Sequence, residues 1–250
     1  MNITINIKYF LTLAIVFILF TAIGTVSHEY GHIAMAKMLG YQTKLHYGSM
    51  NYYPKGYLKD KDVRALKSLT EDYVNIDYNS WPKEIKEKTK EYNNILQQRY
   101  GNENSNNGLL VTIGGPLQTI ITGIIGLIIL LIRRKNIYRN GLKILDWLAI
   151  FLSLFWLREV FNLVTSIGGE IISPDGTWFG GDELFISQGL NLWSGTIPII
   201  LATLGLIISI FIVFKIVPKK IRLTFILSGF VGGLFGFILW MNIIGPKILP

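Results

Sequence analysis

The sequence predicts an all-α polytopic membrane protein with a small extramembrane insertion. Half of its 250 residues are hydrophobic and 16% are charged, and the mean hydropathy is +0.41, which is unlike an ordinary soluble domain. The apolar residues lie in long blocks, each close to the about 20 residues that cross the hydrocarbon core as a helix. About five blocks have this character: 7–26, 109–132, 144–167, 197–214 and 223–244.

The first block is expected to stay in the mature protein as the first transmembrane helix, within residues 1–40. Its apolar stretch is too long for a signal peptide, and no small-residue cleavage site follows it. Residues 109–250 form the remaining transmembrane core of about four helices. The chain has no cysteine, so disulfides and thiolate metal ligands are excluded.

Between the first and second blocks lies a polar segment, residues 41–108, which we call the insertion. Aromatic, polar and apolar residues alternate over residues 41–53, which predicts a short strand pair. Residues 59–73 and 82–100 are predicted to form surface helices, the second with Pro82 at a favourable helix start. Residues 101–108 are rich in asparagine and are expected to form a tether.

The net charge of +8 comes from two short loops. Residues 133–143 and 215–222 carry basic residues and no acidic ones, whereas the insertion is nearly balanced, with 11 basic and 9 acidic residues. Short basic loops are typical of the cytoplasmic side of a membrane. The charge therefore predicts a cell-membrane protein whose insertion and whose loop 168–192 lie on the non-cytoplasmic side, in contact with lipid and not with nucleic acid.

The most informative motif is His-Glu-Tyr-Gly-His at residues 28–32, at the end of the first apolar block. On a helix, His28 and His32 share a face and can bind one metal ion, and Zn²⁺ is the ion expected for this motif. Glu29 lies on a neighbouring face, where it could act as a general base toward water. Polar residues in an apolar helix are costly in lipid, which favours a functional reason for them.

A catalytic zinc requires three protein ligands, so one is missing from this motif. The predicted topology places the acids of loop 168–192 on the same side as the histidines. Asp146 is expected at the opposite end of the third block. The candidates for the third ligand are therefore Glu170, Asp175, Asp182 and Glu183.

In these motifs the chain resembles the site-2 protease family of membrane-embedded zinc metallopeptidases. The resemblance rests on residues 28–36, on Gly114-Gly115-Pro116 in the second block, and on Asn162-Leu163 followed by aspartate-containing loops. It implies that an aspartate downstream of Asn162 is the third zinc ligand. The compact Asn-Pro-x-x-Asp-Gly arrangement of that family is absent here, so two aspartates compete.

Asp182 directly precedes an apolar run that is expected to open a helix, and a ligand at a helix start is better ordered than one in a glycine-rich turn. We therefore prefer Asp182 to the runner-up Asp175, which lies in a Pro-Asp-Gly turn. The resemblance gives Asn162 a role in holding a substrate strand, although a hydrogen bond between helices would explain it equally well. Gly115 is a second candidate for contact with substrate, in a glycine-proline segment expected to break the second span.

The sequence thus predicts a zinc metalloendopeptidase that cleaves membrane-protein substrates within or beside their transmembrane segments. Two other functions remain open, a non-catalytic membrane protein that binds metal or a partner, and a transporter with a metal-lined pathway. Glu29 argues against the first, because a structural metal site needs no base. The lack of an inverted repeat argues against the second.

Overall fold

The computed structural model describes residues 6–101 and 106–250, and nearly all of its regular structure is helical. Its two strands form one antiparallel hairpin, β1 (Gln42–Leu45) with β2 (Met50–Tyr53). The helices are α1 (Ile7–Met38), α2 (Lys61–Thr70), α3 (Lys83–Tyr100), α4 (Asn106–Asn140), α5 (Ile144–Ser153), α6 (Leu157–Ile172), α7 (Gly181–Gly189), α8 (Thr196–Phe211), α9 (Arg222–Leu239) and α10 (Gly245–Ile248). The expected fold class, an all-α polytopic protein with a short β hairpin, is confirmed.

Within the described residues, four helical segments are long and apolar enough to span a membrane, where the sequence predicted about five. They are α1, α4, Thr196–Ile216 and Lys219–Ile248. The predicted third span, residues 144–167, is not one helix, because a 3₁₀ turn at Leu154–Trp156 divides it into α5 and α6. With 10 and 16 residues, the two pieces are about 15 and 24 Å long, and each is shorter than the ~30 Å hydrocarbon core.

Helix α1 lies against two other long helices in opposite senses. Gly31 meets Gly114 of α4 so closely that a β-carbon on Gly114 would lie 2.5 Å from the Gly31 carbonyl oxygen. On another side of α1, Ser228 Oγ of α9 donates to the Phe10 carbonyl at 3.0 Å, and Gly232 lies against Ala14. The order of these contacts makes α1 antiparallel to α4 and parallel to α9.

The chain returns from the far end of α4 toward the histidine motif through α5 and α6. At the far end, Arg133 of α4 forms an ion pair with the buried Asp146 of α5 at 2.6 Å, and Tyr138 donates to the Lys215 carbonyl. The two basic loops predicted to be cytoplasmic therefore lie together, at the end of the bundle opposite the histidines.

The outer surface of the bundle remains apolar. On α1, every fourth residue of one row is more than half exposed: Ile7, Leu11, Ile15, Leu19 and Ile23. Residues four apart share a helix face, so this row is a continuous apolar stripe that no other part of the described chain covers. Such a surface is costly in water and favourable in lipid, which agrees with an integral multi-pass membrane protein.

The insertion contains the predicted hairpin and both predicted surface helices. Arg99 at the end of α3 pairs with Asp60 and Asp62 at the start of α2, and Tyr100 also donates to Asp60 at 2.8 Å. Of the predicted tether, residues 102–105 lie outside the described residues and residues 106–108 belong to α4.

Candidate metal centre

Two of the three members of this site lie one turn apart on α1. The helix has no proline over its 32 residues, and Asn6 caps its start by accepting from the Tyr9 amide. His28 is fully buried and His32 is 7% exposed. Their Nε2 atoms lie 3.3 Å apart, so the two imidazoles converge on one point, as the motif predicted.

The third member is Asp182, at the start of α7. One of its oxygens, Oδ2, lies 2.8 Å from His28 Nε2 and 3.2 Å from His32 Nε2. The carboxylate is aimed by the preceding residue Gly181, whose φ of 75° is a left-handed conformation that other residues rarely adopt. His28, His32 and Asp182 together could hold a metal ion.

Asp175 lies elsewhere. Its carboxylate is exposed and accepts from the Thr177 amide at 2.8 Å, inside its own turn. The Glu170 carboxylate is also engaged away from the histidines, because it accepts from the backbone amides of residues 175–177. Asp146 is at the far end of the bundle, as the sequence analysis expected. Of the four acids considered for the third ligand, the structure brings Asp182 to the histidines.

The other ring nitrogens determine which atoms face the centre. His32 Nδ1 lies 2.8 Å from the Val111 carbonyl, which can only accept, and 3.2 Å from the Gly115 amide, which can only donate; the shorter contact favours a hydrogen on this nitrogen. His28 Nδ1 lies 3.0 Å from Thr119 Oγ1, and that hydroxyl donates to the Gly115 carbonyl at 3.3 Å. The shorter Nδ1 contacts therefore favour a lone pair on both Nε2 atoms.

Three acceptor atoms, the two Nε2 atoms and the Asp182 oxygen, thus face one another within a buried space. Acceptors at this separation repel unless a metal ion or a shared proton lies among them. Fixing Nδ1 by a hydrogen bond while Nε2 points inward is the arrangement that metal-binding histidines adopt in proteins.

The space in front of the imidazoles is kept open by Gly115. A β-carbon at this position would lie 2.5 Å from His28 Nε2 and closer still to His32 Nε2. Helix α4 continues through residues 114–116, so the break expected there is absent and Pro116 is accommodated inside the helix. Gly115 therefore faces the two Nε2 atoms directly.

Glu29 lies beside this group and is not part of it. Its side chain is 5% exposed, and it interacts electrostatically with His32, Arg158 and Asp182. The general-base role predicted from the motif stays a prediction.

Asn162 is on α6, where its side-chain amide donates to the carboxylate of Glu183 at 3.2 and 3.4 Å. Sequence reasoning missed two contacts to this site, the Thr119 hydroxyl and the Val111 carbonyl. Thr119 lies one helical turn after Gly115 and therefore shares its helix face. That spacing is the feature of the sequence that could have placed Thr119 near the site. His46, the third histidine, is on the hairpin turn and contacts the Pro250 carbonyl at 2.7 Å, away from the centre.

Comparisons of the chain with protein-family models, with curated proteins and with solved structures find no match. The functional interpretation therefore depends on the geometry of the site and on the chemistry of its residues.

Proposed function

We propose that this protein is a membrane-embedded zinc metalloendopeptidase that hydrolyses peptide bonds within or next to transmembrane segments of other membrane proteins. The observation that carries the proposal is the convergence of His28 Nε2, His32 Nε2 and Asp182 Oδ2 beside the buried acid Glu29. Two imidazoles and one carboxylate suit zinc, and three protein ligands are the number found in catalytic zinc sites, which keep a fourth position open. When bound, zinc would polarise the scissile carbonyl and lower the pKa of a water molecule toward neutrality.

The chain's own residues supply the proton transfers. Glu29 accepts the proton of the attacking water and passes it to the amine that leaves when the carbon–nitrogen bond breaks. Thr119 and the Val111 carbonyl hold the imidazoles in the orientation that this chemistry needs. Asp182 keeps 26% of its side chain exposed, so water and a peptide can approach from its side of the site.

The likeness of residues 28–36 to the site-2 protease motif supports the same proposal. A peptide in that site must be locally extended, because the amides of a helix are already hydrogen-bonded to one another. Substrates are therefore membrane proteins whose transmembrane segment unwinds near the membrane surface. The basic loops cluster at the opposite end of the bundle, which supports a site on the non-cytoplasmic side of the cell membrane.

The test uses the full-length protein, reconstituted with zinc into vesicles that carry a mixture of membrane proteins. New protein termini are identified by mass spectrometry for the wild type, for Glu29→Gln and for the control Glu71→Gln, which changes an exposed acid of the insertion. We expect new termini within or beside transmembrane segments for the wild type and the control. The Glu29→Gln variant should yield none while its zinc content equals that of the wild type.

Two results would contradict the proposal. Wild-type protein that holds zinc and produces no new termini would be a non-catalytic metal protein. Equal product sets from the wild type and Glu29→Gln would assign the cleavage to something other than this site.

A further inference from the structure

The third metal-binding residue is followed by a second, buried acid. Glu183 is 2% exposed, although its neighbour Asp182 is partly open to solvent. A buried carboxylate is costly unless donors satisfy it. Within the described part of the chain, the side-chain amide of Asn162 is the donor that reaches this carboxylate, at 3.2 and 3.4 Å from its two oxygens.

The rest of α7 is fixed from the other side. Ser187 Oγ donates to the Glu183 carbonyl at 3.0 Å and accepts from the Ile197 amide at the start of α8 at 3.1 Å. On the preceding residue, a β-carbon at Gly181 would lie 2.7 Å from Glu183 Oε2. The Glu183 side chain therefore packs against Gly181, the residue that directly precedes Asp182.

A third buried acid, Glu159 of α6, lies near the Asn162–Glu183 contact. Glu159 is also 2% exposed, and within the described residues neither of its carboxylate oxygens has a hydrogen-bond partner. Its carboxyl group interacts with that of Glu183. Without Asn162, the Glu183 carboxylate would lose its amide donor, and the start of α7 would lose this hydrogen bond to α6.

We infer that Asn162 and Glu183 are positioning residues that set the orientation of the Asp182 carboxylate toward the two histidines. This assigns Asn162 to the metal site instead of to the substrate. The inference rests on the metal-binding part of the proposed function and is independent of proteolysis. Partners that orient metal ligands in this way contribute about 10- to 100-fold to metal affinity.

The pair can be tested by an isosteric exchange. Asparagine and aspartate have the same shape, as do glutamate and glutamine, so Asn162→Asp with Glu183→Gln reverses the direction of the hydrogen bond and keeps its length and the total charge. Zinc affinity is measured for the full-length protein in detergent by competition with a chromophoric chelator. The control is Thr165→Ala, which removes an exposed hydroxyl that bonds only to its own helix.

Asn162→Asp alone should weaken zinc binding about 10- to 100-fold, because Glu183 then faces a carboxylate in place of its amide donor. The double exchange should restore the affinity to within about threefold of the wild type, since the hydrogen bond is re-formed. A purely electrostatic role predicts the opposite sign for the single variant, because the added negative charge would tighten zinc binding. Zinc binding by Asn162→Asp that equals or exceeds that of the wild type would overturn the inference, as would a double variant no better than the single one.

If Asn162→Asp does not fold, Asn162→Ala removes the donor without adding charge and should show the same loss. Adding Glu183→Ala to that variant should cost nothing more, because both changes break one contact; additive losses would overturn the inference. If these affinities follow the expected order while the vesicle experiment yields no cleavage, the peptidase proposal fails and the positioning role stands. If the wild type binds no zinc, both fail.

Discussion

Replacing Gly115 with alanine is expected to abolish metal binding while leaving the protein folded. The added β-carbon would lie 2.5 Å from His28 Nε2 and closer to His32 Nε2, and zinc–nitrogen bonds of about 2.0–2.1 Å leave no room for a methyl group between the rings. We expect the zinc dissociation constant to rise at least about 100-fold.

The same substitution should change the stability of the metal-free protein only modestly. Alanine in a helix interior is favoured over glycine by about 1 kcal/mol, and crowding of a packed interior costs about 1–3 kcal/mol. The two terms oppose each other, so the net loss should be within about 2 kcal/mol.

The assay is thermal unfolding in detergent with and without zinc, together with chelator competition. Zinc at 100 times its wild-type dissociation constant should stabilise the wild type by about 2.7 kcal/mol and Gly115→Ala by about 0.4 kcal/mol or less. Gly168→Ala is the control, because its β-carbon would meet nothing within 4 Å. Wild-type zinc affinity in Gly115→Ala would refute the assignment of the metal-binding point.

Three further predictions concern single side chains. Asp182→Asn should abolish zinc binding and Asp175→Asn should leave it unchanged, measured by metal content after purification, and the reverse result would make Asp175 the ligand. Thr119→Val, which keeps the shape and removes the acceptor of His28 Nδ1, should weaken zinc binding about 10- to 100-fold in chelator competition; unchanged affinity would mean that the ring is held by packing alone. The Arg99 guanidinium, with help from Tyr100, lowers the pKa of Asp60 to about 2. The stabilisation that the ionised Asp60 carboxylate gives to the insertion should therefore be complete above about pH 4 and be lost as the pH falls toward 2. Amide hydrogen exchange of α2 and α3 should show this acid loss in the wild type and not in Asp60→Asn.

Much of the fold could be predicted from the sequence, because membrane-spanning helices can be recognised from their length and apolar composition alone. The histidine motif could be placed on a helix for the same reason, since its apolar block continues into it without a break. The hairpin at 42–53 followed from alternation of side chains. These are local properties, and local properties are readable from one chain.

The parts that were missed depend on contacts between distant segments. The 3₁₀ turn at Leu154–Trp156 falls in a stretch without proline or glycine, so no helix-breaking residue marked the division. The roles of Thr119 and Glu183 arise only when α4 and α7 are packed against α1 and α6. Gly115 was noticed for its neighbour Pro116, whereas its importance lies in the side chain that it lacks.

The three metal-binding residues are far apart in the order of synthesis. His28 and Asp182 are separated by 154 positions, so at 5–20 residues per second the ribosome finishes the carboxylate on the order of 10–30 s after the imidazoles. During that interval the nascent first helix carries its histidines without the third ligand. The complete group of three side chains can therefore form only after the later helices have entered the membrane.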